Sequence, residues 1–127
     1  MREILFRGKR LDNGEWVEGL MYQISDDTTP FIMLKNKHAE SHRVYPATIG
    51  QFTGLLDKNG KRIFEGDVVS FKRVNSLGYT TNRIGVVRYY DELPIFYIMA
   101  TTGDAWDWCD CEEIEIIGNI HDNSELI

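Results

Sequence analysis

Turn-forming residues divide this sequence into short segments, and this division restricts the fold more than any other feature. Asn-Gly pairs at 13–14 and 59–60 accept the positive φ angles that tight hairpins require. Further groups of Gly, Pro, Asn and Asp recur roughly every 8–12 residues, with β-branched and aromatic residues between them. No stretch keeps helical periodicity over three turns. The pattern predicts an all-β (mainly β) protein, a small barrel or sandwich of about ten short antiparallel strands.

The segments between the turns are the predicted strands. The most apolar of them, Ile95–Thr101, is expected to be a central strand that is covered on both faces. One helical turn fits between Ala47 and Phe52. The predicted strands are Glu3–Arg7, Trp16–Ile24, Phe31–Leu34, Arg43–Tyr45, Leu55–Leu56, Ile63–Phe64, Val68–Val74, Arg83–Tyr90, Ile95–Thr101 and Ile114–Ile120.

A proline and a glycine, Pro46 and Gly50, interrupt the strand pattern and mark the best candidate boundary. The chain has 127 residues, which fits one ordinary domain or two small β modules sharing a core. We expect an N-terminal β segment, residues 1–50, packed on a β-barrel formed by residues 51–127.

The net charge of −6 conceals three blocks of different charge. Residues 1–50 carry seven basic and seven acidic residues, residues 51–90 carry seven basic and three acidic, and residues 91–127 carry ten acidic and no Lys or Arg. We expect the acidic third to fold against the basic middle and neutralise it.

Several features predict a cytoplasmic protein. The N-terminus has no signal-peptide pattern, and no run approaches the ~20 apolar residues of a membrane helix, so no membrane partner is expected. The two cysteines, Cys109 and Cys111, lie too close in sequence for an unstrained disulfide, and reduced thiols are expected.

The segment Gln51–Phe71 imitates two ligand-binding loops but fits neither. A phosphate-binding loop needs four residues between its glycines and a hydroxyl after the lysine, whereas Gly54 and Gly60 are separated by five residues and Lys61 precedes Arg62. A calcium loop would place its glycine later and close with a glutamate. The segment is predicted to form a hairpin turn instead.

Catalytic and metal sites receive little support from the residues. Glu65 and Asp67 could act as an acid–base pair, but in E-G-D-V-V a turn-stabilising role is favoured. His38, His42, Cys109 and Cys111 could be assembled into a zinc site, although C-x-C is shorter than the usual cysteine spacing. The sequence predicts no enzyme, no metal and no cofactor.

Two groups of residues are candidates for binding. Phe71, Lys72, Arg73, Tyr79 and Arg83 combine cations with aromatic rings, as nucleic-acid-binding surfaces do, but the acidic third opposes a polyanion. Trp106 and Trp108, if extended, share one face with Cys109 and Cys111 on the other. These tryptophans are interface anchors or close one end of the barrel, and the core role is slightly favoured.

Three segments carry a family resemblance: REILFRG near the N-terminus, FTGLLDKNGKRIFEGDVV in the middle and IEIIGNIHDN near the C-terminus. Together they resemble the YopX family of phage and prophage proteins. The chain departs from the family pattern at His121-Asp122 and between Arg73 and Cys111. The structural-motif residues on the matching segments are Gly54, Asp57, Asn59, Gly60, Glu65, Gly66, Asp67, Gly118 and Asn119.

The resemblance implies a mostly-β protein with an SH3-like barrel from about Gln51, and a bacterial or phage origin. It implies no activity, because the family has no agreed catalytic residues. From the residues and the resemblance together we predict a non-enzymatic module that binds another protein, with self-association as a further prediction. The alternatives are nucleic-acid binding by the 71–83 hairpin and an enzyme that uses Glu65 and Asp67.

Overall fold

The computed structural model describes residues 3–25, 29–36, 38–90, 92 and 95–127. The chain forms two compact units, Met1–Gly54 and Leu55–Ile127, which are described in turn. This division does not test the predicted packing of residues 1–50 on a barrel, which stays a prediction.

The first unit is an antiparallel sheet in which β1 and β2 form a hairpin over the Asn13-Gly14 turn. In that turn the Asn13 side chain accepts a hydrogen bond from the Glu15 amide at 2.9 Å. The strands lie in the order β4-β3-β2-β1-β5. They are β1 (Phe6–Lys9), β2 (Trp16–Tyr22), β3 (Phe31–Met33), β4 (Ser41–Arg43) and β5 (Gly50–Leu56), whose last residues enter the second unit; a 3₁₀ turn covers Pro46–Thr48.

Side chains of the first unit bury one face of its sheet. Ile32 and Val44 are fully buried, and Leu5 and Phe52 are nearly so. The Thr48 hydroxyl connects the 3₁₀ turn to β1, because it accepts a hydrogen bond from the Lys9 amide at 2.9 Å. The turn is thereby fixed against β1.

The second unit contains a hairpin followed by a five-stranded antiparallel sheet. The sheet has the order β10-β9-β8-β7-β11. Its strands are β7 (Asp67–Val74), β8 (Thr80–Tyr90), β9 (Ile95–Ala100), β10 (Ala105–Trp106) and β11 (Glu112–Asn119); β6 (Arg62–Phe64) belongs to the hairpin, and 3₁₀ turns cover Trp108–Asp110 and Ser124–Leu126. A buried cluster holds this unit together: Ile63, Val69, Phe71, Val87, Ile98 and Ala100.

The predicted all-β fold of short antiparallel strands is confirmed, and the described residues contain 3₁₀ turns but no α-helix. Several strand limits differ from the prediction: β1 covers Phe6–Lys9, β5 starts already at Gly50, and β10 was not predicted. Two further differences have a visible cause. β4 ends at Arg43, because Val44 makes only an isolated bridge to Arg10 and Pro46 starts the 3₁₀ turn. β9 is buried on one face only, since its exposure alternates along the strand. The SH3-like form of the second unit stays a prediction.

The hairpin between β5 and β6 is organised by Asp57, a buried carboxylate. One oxygen accepts hydrogen bonds from the amides of Asn59 and Lys61, each at 2.9 Å. The other accepts a bond from the Ile116 amide on β11 at 3.0 Å. Gly60 has a φ of 83°, which the tight reversal requires. Asp57 therefore fixes the turn and joins it to a strand 59 residues away.

The turn before β7 uses Gly66 and Asp67. Gly66, with a φ of 92°, donates its amide to the Val87 carbonyl and accepts from the Ile120 amide. Asp67 is 1% exposed, and its carboxylate accepts the Phe64 amide at 2.7 Å. Glu65 beside them is half-buried. Asp67 thus serves the backbone of the turn, and an acid–base role for Glu65 and Asp67 stays an untested prediction.

The remaining motif residues lie within β5 and at the end of β11. Gly54 is exposed on β5 with a φ of 90°. Asn119 organises the C-terminal turn, because its side-chain oxygen accepts the amides of His121 and Asp122 at 2.9 Å each. A Cβ on Gly118 would lie 2.6 Å from the Asn123 side-chain oxygen, so that side chain must move if any other residue stands here.

Asp57→Asn is expected to lower the free energy of unfolding by about 2–3 kcal/mol, because the new amide group cannot accept hydrogen bonds at both positions. Urea titration followed by circular dichroism measures the change. The exposed Asp110→Asn is the matched control and should leave the unfolding midpoint unchanged.

The Asp57 contribution should also depend on pH. Burial alone raises the pKa of Asp57, but the amides of Ile116, Lys61 and Asn59 together outweigh it and hold the pKa below its ordinary value of 3.8. Such a carboxylate stabilises the fold above its unfolded-state pKa, and this stabilisation is lost as the pH falls through the folded-state pKa. The free-energy difference between the wild type and Asp57→Asn is expected to be constant above about pH 5 and to shrink below about pH 4. A difference that grows on acidification would contradict this assignment.

Gly85→Ala tests the packing between β8 and β9. A Cβ at this position would lie 2.5 Å from the Ile98 side chain and 2.8 Å from the Met99 carbonyl oxygen, which is backbone and cannot rotate away. We expect a loss of about 1–3 kcal/mol in thermal or urea unfolding. Asn82→Ala, at an exposed position of the same strand, should change little, and equal effects of the two variants would refute the steric explanation.

Candidate functional site

The predicted nucleic-acid residues on β7 and β8 do not form one open surface. Phe71 is 1% exposed and belongs to the core, so its inclusion in the binding set is wrong. Lys72 forms an ion pair with Glu113 at 2.9 Å. The Arg73 guanidinium lies 3.8 Å from the centre of the Trp106 ring. Tyr79 at the hairpin tip is 68% exposed.

Acidic residues of the last third pair with the basic middle, as the charge blocks predict. Lys58 contacts Glu115 at 2.7 Å, and Lys72 contacts Glu113. Arg83 lies 3.9 Å from Asp104 and donates to the Thr102 hydroxyl at 3.3 Å. A groove of about 650 Å³ lies among these pairs, lined by Lys58, Ser70, Phe71, Lys72, Thr81, Asn82, Arg83, Ile84, Ala100, Thr101, Thr102 and Glu113.

These pairs also shift the pKa values of their members. The hydrogen bond to Glu115 raises the pKa of Lys58, and the hydrogen bond from Lys72 lowers that of Glu113. The hydroxyl of Thr102 donates to Asp104 and lowers the pKa of that carboxyl. Lys58, Glu113 and Asp104 therefore stay charged at neutral pH. The cations of the groove have carboxylate partners that a phosphate would have to displace.

Trp106 and Trp108 both pack against the core of the second unit. Trp106 lies opposite Ile98 on the short strand β10, with Arg73 over its ring and Arg83 at 5.7 Å. Trp108 donates its indole N–H to the Phe96 carbonyl at 2.9 Å. The expected alternation of tryptophans and cysteines on two faces is wrong, because Trp108–Asp110 forms a 3₁₀ turn and Cys111 packs on the same core.

The outer face of β9 carries apolar side chains that the core does not use. Phe96, Ile98 and Ala100 point inward and are buried, whereas Ile95, Tyr97 and Met99 occupy the alternate, outward positions. Ile95 is 45% exposed. The outward residues and their neighbours form a groove of about 430 Å³, here called the β9 groove. It is lined by Tyr90, Ile95, Tyr97, Met99, Ala105, Trp106, Asp107 and Asp110.

The rim of the β9 groove is acidic. Asp107 and Asp110 are exposed beside its aromatic and aliphatic wall. Its lining residues include no Lys or Arg, and the nearest strand position with a cation is Arg88, directly opposite Tyr97. The groove therefore combines a hydrophobic floor with negative charge at one side.

The four residues considered for a zinc site are divided between the two units. His38 and His42 belong to the first unit and the two cysteines to the second. Burial raises the pKa of the Cys111 thiol to about 11, so this thiol is protonated at neutral pH. In the described part of the chain, one ligand atom each of Asp107, Cys109 and Asp110 lies within 4.8 Å of the other two. All three residues are exposed, and an exposed acidic group of this kind does not by itself define a metal site.

Of the residues that line the β9 groove, sequence reasoning named Trp106 and missed the others. The sequence does contain a signal for an additional apolar surface, because the run Ile95–Ala100 is apolar at both odd and even positions. That pattern indicates two covered faces, and the structure supplies the cover for only one. Within the described ranges, the chain forms no helix of the length and hydropathy that crossing a membrane requires.

Comparison with known proteins agrees with the fold. The chain is similar to the crystal structure of protein EF1440 from Enterococcus faecalis, with 23% sequence identity, 99% of each chain covered and a TM-score of 0.58. At this identity the likeness shows the fold alone. A search of curated proteins gives no match. A family model described as YopX protein matches residues 5–127. Because this match spans nearly the whole sequence, the chain belongs to the YopX family.

Proposed function

We propose that this chain is a non-enzymatic, protein-binding module, and that the β9 groove holds an extended segment of a partner protein with apolar and basic residues. The observation that carries the proposal is the outward row of Ile95, Tyr97 and Met99. An outward face of an antiparallel sheet ordinarily carries polar residues, because apolar side chains gain nothing from contact with water. A partner that covers this row would remove its apolar side chains from water, which is favourable.

The composition of the β9 groove suits a protein partner. Tyrosine, tryptophan and methionine are enriched at the centres of protein interfaces, and the groove contains all three residue types. The wall on the β10 side is held in place, because Trp106 anchors β10 from the core side, opposite Ile98 and beside the Arg73 guanidinium. A rigid wall lowers the entropy that binding must offset.

The charge of the groove indicates the charge of the partner segment. Asp107 and Asp110 lie at its rim, and residues 91–127 contain no Lys or Arg. Basic side chains on a partner segment would meet these carboxylates and would also accelerate its association at low salt. An acidic segment or a nucleic-acid phosphate would be repelled at Asp107 and Asp110, whereas Arg88 lies beside Tyr97 on the opposite side.

The other functions predicted from the sequence have weaker geometric support. The cations of the 71–83 hairpin contact Glu113, Asp104 and Trp106, so nucleic-acid binding there would require these contacts to break. A second copy of the chain could also cover the β9 groove, and sedimentation equilibrium distinguishes that case from binding of a partner segment.

The proposal also includes a cytoplasmic location in a bacterium, with a bacterial or phage gene. The two free cysteines are consistent with it.

The proposal predicts that a peptide of about ten residues that alternates Leu and Lys binds the chain, and that a Leu–Glu peptide of equal length does not. Binding should shift the NMR signals of β8, β9 and β10. Tyr97→Ala should weaken the peptide affinity about tenfold or more, because a central aromatic side chain is lost. The exposed Tyr79→Ala is the matched tyrosine control and should retain full affinity.

Two results would contradict the proposal. One is equal binding of both peptides, and the other is peptide binding that Tyr97→Ala leaves unchanged. Sedimentation equilibrium of the wild type and of Tyr97→Ala tests self-association. If only the wild type dimerises and the Leu–Lys peptide does not compete, the groove is a contact between copies instead of a peptide site.

A further inference from the structure

A second surface, in the first unit, combines cations with aromatic rings on one side of a sheet. In an antiparallel sheet, directly opposite residues lie on the same face, and so do alternate residues of one strand. The register pairs Lys9 with Trp16, Tyr22 with Phe31, and Phe31 with Arg43. One face of β1–β4, here called the N-terminal face, therefore carries Arg7, Lys9, Trp16, Tyr22, Phe31 and Arg43.

The rings and cations of the N-terminal face are in contact. Tyr22 and Phe31 stack with their centroids 5.0 Å apart and an interplanar angle of 7°. The Arg43 guanidinium lies 5.3 Å from the Phe31 centroid, which extends the stack across three strands. Tyr22 at the other end of the stack is 37% exposed. The row thus has a ring accessible at one end and a cation at the other.

A second contact of the same type lies further along β2. The Arg7 guanidinium is 4.8 Å and the Lys9 ammonium 5.8 Å from the centre of the Trp16 ring. Tyr22 follows Trp16 by six positions on β2, a distance of about 20 Å along a strand. Both groups therefore lie on one continuous track, with a cation and a ring at each end.

The opposite face of this sheet supplies the core, so the N-terminal face is the side left for binding. Ile32, which alternates with Phe31, is fully buried. A Cβ on Gly8 would contact Val44, which shows how closely that side is packed. Among the described strand residues of the N-terminal face, Glu18 is the single acid, and it lies opposite Arg7. Three cations and one acid leave a local excess of two positive charges.

We infer that the N-terminal face binds single-stranded nucleic acid. Single strands are recognised by aromatic rings and arginine planes that stack on bases, combined with cations that contact the phosphates. Both elements are present here as two ring–cation groups, one near each end of β2. A duplex cannot bind in this way, because its bases are already stacked on one another and only their edges are accessible in the grooves. The inference does not depend on the β9 groove.

The inference assigns different roles to the two ends of the stack. Tyr22 offers its exposed ring to a base, while Arg43 contributes both charge and a stacking plane. Lys9 and Arg7 hold the phosphates beside Trp16. With about three phosphate contacts, the affinity for a single strand should fall about 20-fold between 50 and 200 mM salt.

The experiment is a fluorescence anisotropy titration of the full chain with a labelled oligothymidine of about 15 nucleotides, alone and as a duplex. We expect binding of the single strand and at least about tenfold weaker binding of the duplex. Tyr22→Ala should weaken binding about tenfold with little change in the salt dependence. Arg43→Ala should weaken binding and also lower the salt slope by about 0.7.

Matched controls keep the test decisive. Tyr79→Ala and Arg88→Ala remove exposed residues of the same types from the second unit and should retain wild-type affinity. If Arg43→Ala fails to fold, Arg43→Lys keeps the charge and should retain the salt slope with reduced affinity. Circular dichroism checks the fold of each variant.

Three outcomes would overturn the inference: no single-strand binding at 50 mM salt, binding that Tyr22→Ala and Arg43→Ala leave intact, or duplex binding as tight as single-strand binding. Competition by a polyglutamate peptide addresses the remaining alternative. If it displaces the oligonucleotide at equal charge concentration, the face attracts anions in general and the nucleic-acid assignment is wrong.

Discussion

The connection between the hairpin of the second unit and its sheet is centred on a buried carboxylate, Asp57, and is reinforced by Lys58, whose amide donates to the Ile114 carbonyl and whose ammonium pairs with Glu115. Asp57 accepts two amides of its own turn and one of β11, and it is almost fully removed from water. A buried charge that receives several amide donors is strongly held, whereas the same charge without them would be expelled. The turn therefore cannot move without breaking a charged hydrogen bond to β11, which pairs with β7 in the main sheet. This explains why a hairpin sequence that imitates a ligand-binding loop serves the fold.

Much of the fold follows from local chemistry. Asn13-Gly14 and Asn59-Gly60 give turns because of the backbone angles they accept, and the strands follow as the β-branched runs between them. Strand limits were less predictable, as at β4, because a tertiary bridge between Arg10 and Val44 competes with local propensity. The charge blocks also predicted contacts, since Lys58 and Lys72 pair with acids that lie more than 40 residues away. Predicting that the two blocks pair requires only their opposite charges and not the register of the strands.

The candidate sites were harder to predict for a physical reason. Hydrophobicity reports that β9 should lose water on both faces, but it does not distinguish burial in the core from burial under a partner. The sequence therefore places Ile95, Tyr97 and Met99 inside, and only the register of β8, β9 and β10 places them outside. Phe71 shows the opposite error. Its neighbours Lys72 and Arg73 suggest a surface, yet alternation along β7 directs the Phe71 ring into the core.

The same reasoning applies to the mixture of cations and rings that signals nucleic acid. A sequence window finds this mixture in residues 71–83, where the side chains are close in sequence but alternate between two faces and contact acids or the core. The N-terminal face assembles it from four strands, with Arg43 and Tyr22 more than 20 residues apart in sequence but separated in the stack by one strand, β3. No window contains that arrangement, because antiparallel pairing creates it. Since stacking on bases depends on adjacent planes and not on sequence distance, the assembled face is the stronger candidate of the two.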